Sequence, residues 1–232
     1  METTNNENVM KGGKSNTELY IQIALIAILS LVIVFNAGKV YGNEGKISGL
    51  VTSVTSNSIG TVSASEIIPK GVPEVYGKEL GVSYDDVSPN NPGLADATIQ
   101  KLSEYEDKQL TQEQMNRYIK IGSSISCEYC CGAKAIIFSN GERACGCAHS
   151  YSMRGLAKYL LINHPDMSDD EILSELGKWK VLFFPGIHEQ KAKVLESKGI
   201  DSKDYINLAS NKYRGIEQGQ TSGSGGAMVG GC

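Results

Sequence analysis

The sequence lacks any surplus of basic charge. Its 22 lysine and arginine residues are outnumbered by 26 aspartate and glutamate residues, so the formal net charge is −4 and the pI is near 5.5. No cluster of basic residues is interleaved with aromatic residues. Because proteins that bind nucleic acids present such basic surfaces, the sequence argues against a nucleic-acid partner.

The motifs of common enzymes are also missing. The sequence contains no serine nucleophile elbow, no phosphate-binding P-loop and no zinc-protease helix. Histidine is scarce, with three in the chain, and we expect His164 and His188 to be surface or capping residues. The acidic pairs Asp85-Asp86 and Asp169-Asp170 are better explained as turn and helix N-terminal charges than as catalytic carboxylates. We therefore expect a protein that is not an enzyme.

Charge is absent from one long segment, Leu19–Gly38, which reads LYIQIALIAILSLVIVFNAG. Twenty helical residues with a rise of about 1.5 Å each would cover about 30 Å, the thickness of a bilayer's hydrocarbon core. The segment therefore predicts a single transmembrane helix. A cleaved signal peptide is the alternative, although its apolar run is usually about 7–15 residues long. The short polar N-terminus and the large C-terminal part favour an extracytoplasmic domain behind this anchor.

Composition divides the rest of the chain. The expected parts are a disordered N-terminus (1–18), the transmembrane helix (19–38), a Ser/Thr-rich stalk (39–72), a cysteine-rich globular domain (73–215) and a flexible Gly/Ser tail (216–232). Capping boxes that begin at Thr111 and Ser168 each predict the start of a helix. Apolar spacing and helix-terminating residues predict helices at about 94–106, 112–121, 153–163, 169–184, 189–198 and 203–212.

Five of the six cysteines and one histidine fall in residues 127–150, CEYCCGAKAIIFSNGERACGCAHS. Asn140-Gly141 predicts a two-residue hairpin turn, which would place Ser139 opposite Glu142 and bring the two cysteine groups together. On an extended strand, side chains two residues apart leave from the same face. The predicted fold is therefore α+β: a mostly α-helical domain with one cysteine-bearing β-hairpin, behind the transmembrane helix.

A CxxCC arm joined by a hairpin to a CxCxH arm predicts a metal site. The candidate ligands are Cys127, Cys130, Cys131, Cys145, Cys147 and His149. They exceed the four ligands that a tetrahedral ion takes, so a second ion, a disulfide beside the site and a thiolate-rich Cu⁺ site all stay open. Zn²⁺ or Cu⁺ is the expected ion. An iron–sulfur cluster is less favoured because its cysteine spacings usually differ, and covalent haem attachment would need CxxCH.

The glycine-rich tail carries two further soft donors, Met228 and Cys232, on a tether long enough to fold back. Its simpler interpretation is a disordered end. Two other functions also stay open at this point. One is a protein-interaction module whose cysteines are only disulfides, such as Cys127 or Cys130 to Cys145 or Cys147. The other is a membrane-tethered thiol–disulfide redox protein.

The stretch from Cys145 to His149, CGCAH, resembles the CGC-x-H core of the PCYCGC-motif proteins. The resemblance covers only about six residues and the anchored layout, and GERA stands where that family has PCY before the core. The family's members are extracytoplasmic, membrane-attached proteins suspected of binding heavy metals. The resemblance implies a soft-metal role for Cys145, Cys147 and His149. The layout also resembles small archaeal single-pass membrane proteins.

Overall fold

The computed structural model describes residues 20–27, 64–219 and 228–231. The chain divides into two units, Met1–Ser56 and Asn57–Cys232. In the first unit, residues 20–27 are helical and exposed. The second unit holds all of the cysteines.

The transmembrane helix predicted at residues 19–38 is not found among the described residues. The part of the chain that the structure describes contains no helix long and apolar enough to cross a membrane. Residues 20–27 of the predicted span form a helix. Residues 28–38 of the predicted span, the predicted disordered segment 1–18 and most of the predicted stalk lie outside the described residues.

Five long helices build the second unit. They are α1 (Pro92–Ser103), α2 (Gln112–Ser123), α3 (Ala148–Asn163), α4 (Asp169–Phe183) and α5 (Pro185–Ser197). Shorter α-helical turns span Ala64–Ile67, Gly77–Leu80, Glu128–Cys131 and Tyr205–Ala209, and 3₁₀ turns span Tyr84–Asp86 and Asn211–Tyr213. The α-helical turn Tyr205–Ala209 and the 3₁₀ turn Asn211–Tyr213 replace the single helix that the sequence predicts at 203–212. Helix α5 starts four residues earlier than predicted, with Pro185 in its first turn.

Two helix starts follow directly from local side-chain chemistry. The Thr111 hydroxyl accepts the backbone N–H of Gln114, whose side chain accepts the backbone N–H of Thr111. Ser168 and Glu171 make the same reciprocal pair at the start of α4. Both predicted capping boxes are therefore confirmed. Four apolar residues of α4 recur at spacings of four, three and four, which places them on one helix face, and all are buried: Ile172, Leu176, Trp179 and Phe183.

Helix α3 is the centre of the unit and packs against α1, α2 and α4. Its crossing with α1 is close because Gly155 has no side chain: a Cβ atom there would lie 2.2 Å from the Leu102 carbonyl oxygen. The main apolar cluster surrounds α3 and includes Cys127, Cys145 and Cys147. These three cysteines thus belong to the hydrophobic core and not to a separate surface knuckle.

The predicted β-hairpin, and with it the α+β fold class, is wrong. The described residues form no β-strand, and one isolated antiparallel bridge joins Ile137 to Arg143. The Phe138 N–H donates to the Glu142 carbonyl (2.7 Å), and the Gly141 N–H donates to the Phe138 carbonyl (2.9 Å). Gly141 has a φ of +86°. The loop therefore has three residues with a left-handed glycine at its end, and it places Phe138 opposite Glu142 where the sequence predicts Ser139.

The CxCxH segment is not a strand either. Cys147 is the N-cap residue of α3, which begins at Ala148 and not at the predicted Met153. The Ser150 backbone N–H donates to Cys147 Sγ (3.4 Å), so the sulfur does the work that a serine or aspartate oxygen does at most helix starts. The Ser152 hydroxyl, which directly precedes the predicted helix start and could have capped it, instead donates to the His149 carbonyl inside the helix.

Candidate metal centre

Four of the predicted ligands come together in a single group. The ligand atoms of Cys127, Cys130, Cys147 and His149 all lie within 4.8 Å of one another. We call these four residues the ligand cluster. Zinc–sulfur bonds of about 2.3 Å in a tetrahedron place the sulfurs about 3.8 Å apart. The cluster therefore has the size and the donor set of a four-coordinate site that could hold a metal ion.

Two short-range features of the chain bring the cluster together. The helical turn Glu128–Cys131 contributes Cys130 and is preceded by its N-cap residue, Cys127. The start of α3 contributes Cys147 and His149. Three cluster members are buried, and Cys130 is half-buried. In place of the wrongly predicted hairpin, two helix N-termini lie together, with their N-cap residues Cys127 and Cys147 in contact through their sulfurs.

Cys147 has the most strongly lowered thiol pKa in the ligand cluster. Its Sγ atom lies 3.3 Å from Cys127 Sγ, with which it shares a hydrogen bond. This contact, together with hydrogen bonds from His149 and Ser150, holds the pKa of the Cys147 thiol well below its usual range although burial raises it. The pKa of the Cys127 thiol is raised by the same contact and by burial. The pair therefore holds one thiolate, stabilised at the N-terminus of α3.

His149 is buried and oriented by the C-terminal segment. Its Nε2 atom lies 2.8 Å from the Val229 carbonyl oxygen. A carbonyl only accepts, so Nε2 carries a ring proton, and Nδ1 is the nitrogen that an ion could bind after displacing any proton there. Metal-binding histidines usually donate their second nitrogen to a carbonyl or carboxylate in this way. The arrangement prepares Nδ1 as the ligand atom.

Residues 228–231 fold back onto the ligand cluster. Val229 is 2% exposed, and its N–H donates to the Phe183 carbonyl (2.9 Å). The Gly231 N–H donates to Asp96 Oδ1 (3.0 Å). Gly230 has a φ of +84°, and a Cβ atom there would lie 2.3 Å from Ile99 Cδ1 and 3.5 Å from His149 Nε2. Val229 and Gly230 therefore lie against His149, and Cys232 lies outside the described residues.

A disulfide joins Cys131 to Cys145 beside the cluster. This pairing differs from the pairs that the sequence suggests. Cys130 is also disulfide-bonded in this state, and Cys127 and Cys147 are free thiols. Cys145 Sγ lies 3.4 Å from Cys147 Sγ. Cys131, Cys145 and Cys147 form a second group whose sulfurs lie within 4.8 Å of one another, and we call it the outer triad.

A buried ion pair lies next to Cys127. Lys180 is fully buried, and its ammonium donates to Glu128 Oε2 (2.9 Å) and to the Ala209 carbonyl (2.8 Å). Burial acts to raise the pKa of Glu128, but the Lys180 charge and a hydrogen bond from Ser126 lower it to about 2. The positive charge of Lys180 also favours a thiolate at Cys127. Lys180 therefore offsets part of the negative charge that several thiolates bring to the core.

Arg154 of α3 fixes the segment between the two cysteine groups. Its side chain is fully buried, and Nη1 donates to the carbonyls of Ile136 (3.0 Å) and Cys145 (2.9 Å). Its Nε donates to Glu106 Oε1 (2.6 Å), which balances the charge. The Arg154 guanidinium thus hydrogen-bonds the backbone of Ile136, next to the β-bridge, and of Cys145 to helix α3, which carries His149.

Sequence reasoning missed Lys180, Arg154 and Val229 as supports of the site. A single valine in an otherwise Gly/Ser-rich tail was the one available signal for the third. His188, predicted as a surface or capping residue, is fully buried, and its Nδ1–H donates to the Phe184 carbonyl (2.9 Å). His164 lies 3.1 Å from Glu79, away from the cluster.

The comparisons with known proteins give no independent identification of this site. No family model, no curated protein and no solved structure matches the chain. The conclusions about this site therefore rest on its own geometry and chemistry.

Proposed function

We propose that the protein is a non-catalytic metal-binding protein whose ligand cluster holds one ion in its reduced state. The observation that carries the proposal is the convergence of three sulfurs and one imidazole nitrogen within 4.8 Å, with the imidazole oriented by the Val229 carbonyl. Three thiolates and one nitrogen in a tetrahedron suit Zn²⁺, and Cu⁺ is the competing ion. Binding requires that Cys130 be released from its disulfide by a dithiol or phosphine reductant.

The test isolates the ligand cluster from the outer triad. The full chain carrying Cys131→Ser and Cys145→Ser is reduced with a phosphine, freed of reductant without oxygen and loaded with Zn²⁺. We expect about one ion per chain by mass spectrometry, and we expect that adding Cys127→Ser weakens binding so that a competing chelator removes the ion. Less than a tenth of an ion per chain in the first protein, with its helical circular dichroism intact, would overturn the proposal.

Thiol–disulfide exchange is the second candidate function, and one distance favours it. Cys147, with its lowered pKa, lies 3.4 Å from a sulfur of the Cys131–Cys145 disulfide. Attack of the Cys147 thiolate on Cys145 Sγ would form a Cys145–Cys147 disulfide and release Cys131 as a thiolate. No external oxidant or reductant is needed, because one disulfide is exchanged for another.

Alkylation separates this candidate from metal binding. Cys131 is exposed, so iodoacetamide added to the unreduced protein should trap its released thiol. Exchange predicts labelled Cys131 in the unmodified chain and none in Cys147→Ser. Absence of label at Cys131 in both proteins would leave metal binding as the function of the cluster.

An extracytoplasmic location is a further part of the proposal. Disulfides persist mainly in oxidising compartments, and the disulfide state of Cys130, Cys131 and Cys145 supports such a location. The soft-metal role that the resemblance to PCYCGC-motif proteins implies stays a prediction. Thiol labelling of intact cells with a membrane-impermeant reagent, before and after reduction, tests the location directly.

A further inference from the structure

We infer that reduction of the Cys131–Cys145 disulfide opens a second metal site in the outer triad and that Cys147 bridges the two ions. This inference rests on the proposed function, since it extends the ligand cluster to a two-ion centre. The outer triad supplies three thiolates, a donor set that suits thiophilic ions such as Cu⁺ or Cd²⁺.

The position of Cys147 carries the inference. Its sulfur lies 3.3 Å from Cys127 of the ligand cluster and 3.4 Å from Cys145 of the outer triad. It is the one residue common to both groups, and each group fits within 4.8 Å. A thiolate has more than one lone pair and can bind two ions at once. With metal–sulfur bonds of about 2.3 Å, two ions on one sulfur lie about 3–4 Å apart, which both groups can accommodate.

The second site opens by an ordinary two-electron exchange. A dithiol reductant attacks the exposed Cys131 sulfur, Cys145 leaves as a thiolate, and the second thiol of the reductant then displaces Cys131. The reductant ends as a disulfide, and Cys131 and Cys145 end as two thiols. An incoming ion displaces their protons into solvent. The reducing agent therefore changes the number of ions that the protein can hold.

The two sites differ in access to solvent. In the ligand cluster, three of the four ligands are buried, whereas the outer triad ends at the exposed Cys131. Three protein ligands also leave a tetrahedral ion with one open position. The outer ion is therefore the exchangeable one, and the inner ion is the retained one.

Cadmium binding tests both the count and the bridge. The full chain, reduced with a phosphine and freed of it without oxygen, is loaded with ¹¹³Cd²⁺ and studied by mass spectrometry and cadmium NMR. We expect two ions per chain and two cadmium resonances that are mutually coupled, because a shared sulfur transmits spin coupling. The chain with Cys131→Ser and Cys145→Ser should hold one ion with one resonance. The single, surface-located change Cys131→Ser provides the same comparison with less risk to folding.

Each result has a definite meaning. One ion in both proteins overturns the second site and leaves the proposed function intact. Two ions in both proteins place the second ion elsewhere and also overturn the inference. Two resonances without coupling remove the bridging role of Cys147. No ion in either protein contradicts the proposed function itself.

Discussion

At the scale of single residues, Cys147 combines three roles that usually belong to different side chains. It caps α3, it belongs to both cysteine groups, and it carries the stabilised thiolate. The sequence predicts it as a ligand through the CxCxH spacing. Its role as a helix cap was not foreseen, because cysteine is not among the residues that usually cap helices.

Replacement of Cys147 should therefore differ from replacement of its neighbour in the outer triad. We expect Cys147→Ser to lower the cadmium that the chain retains against a competing chelator to below one ion per chain, because the ligand cluster keeps only three ligands and the outer triad only two. Cys131→Ser, the matched control, should retain one ion. Metal content by mass spectrometry on the reduced chains measures both. Equal loss in the two variants would contradict the central position of Cys147.

His188 predicts a pH dependence of stability. Burial, with the charges of Lys180 and Lys191, lowers its pKa from 6.5 to about 3. Between these values the unfolded chain binds a proton that the folded chain does not, so stability present above pH 6.5 is lost as the pH falls. The slope from this one group is at most about 1.4 kcal/mol per pH unit.

Denaturant unfolding of the metal-free protein between pH 6.5 and 5 measures this effect. We expect His188→Gln to show a shallower decrease in unfolding free energy than the unmodified chain. His164→Gln serves as the control and should keep the original slope. A slope unchanged by His188→Gln would show that His188 is not the group responsible.

At the scale of structural elements, the described C-terminal residues act as a support for the candidate ligand His149. The Val229 carbonyl fixes the imidazole, and Gly230 permits that approach because it has a positive φ and no side chain. We expect Gly230→Ala to weaken metal binding by about 10- to 100-fold, the usual effect of losing a histidine's second partner. Gly231→Ala is the matched control, since its nearest atom, Asp96 Oδ1, lies 3.9 Å from a Cβ there. Competition with a chromophoric chelator measures both affinities, and equal affinities would argue against the support.

The crossing of α1 and α3 makes a stability prediction. Gly155→Ala places a Cβ against the Leu102 carbonyl and the Ser103 backbone, which cannot move without shifting α1. We expect a loss of about 1–3 kcal/mol or more in unfolding free energy. Gly93→Ala, in the first turn of the same α1 helix, has no atom within 4 Å of the new Cβ and should change stability by less than about 1 kcal/mol. Urea unfolding compares the two, and similar losses would contradict the close crossing.

The elements also show which features a sequence can predict. The capping boxes at Thr111 and Ser168 involve neighbours three residues apart, and both were foreseen. The Asn140-Gly141 pair was correctly placed in a turn, but its loop length depends on how Ile136 and Ile137 pack under Gly122. That contact is a tertiary one, so the register of the bridge could not be read from the turn residues alone.

At the scale of the whole unit, the ligand cluster is part of the main hydrophobic core. Apolar side chains around α3 enclose Cys127, Cys145 and Cys147, and Arg154 ties their backbone to Glu106. The sequence predicted that the cysteine groups would meet and which residues carry the donors. They meet through two helix N-termini and a returning C-terminal segment. This route depends on contacts between residues far apart in the chain, such as His149 with Val229, eighty positions apart.

Metal stoichiometry of the reduced full chain, measured together with its free thiols, tests the central claim most directly. The account predicts bound ions, two per chain with ¹¹³Cd²⁺, and thiols protected from alkylation until a chelator removes the metal. A reduced, folded chain that binds no ion and whose thiols all react at once would contradict the claim that this cluster is a metal centre.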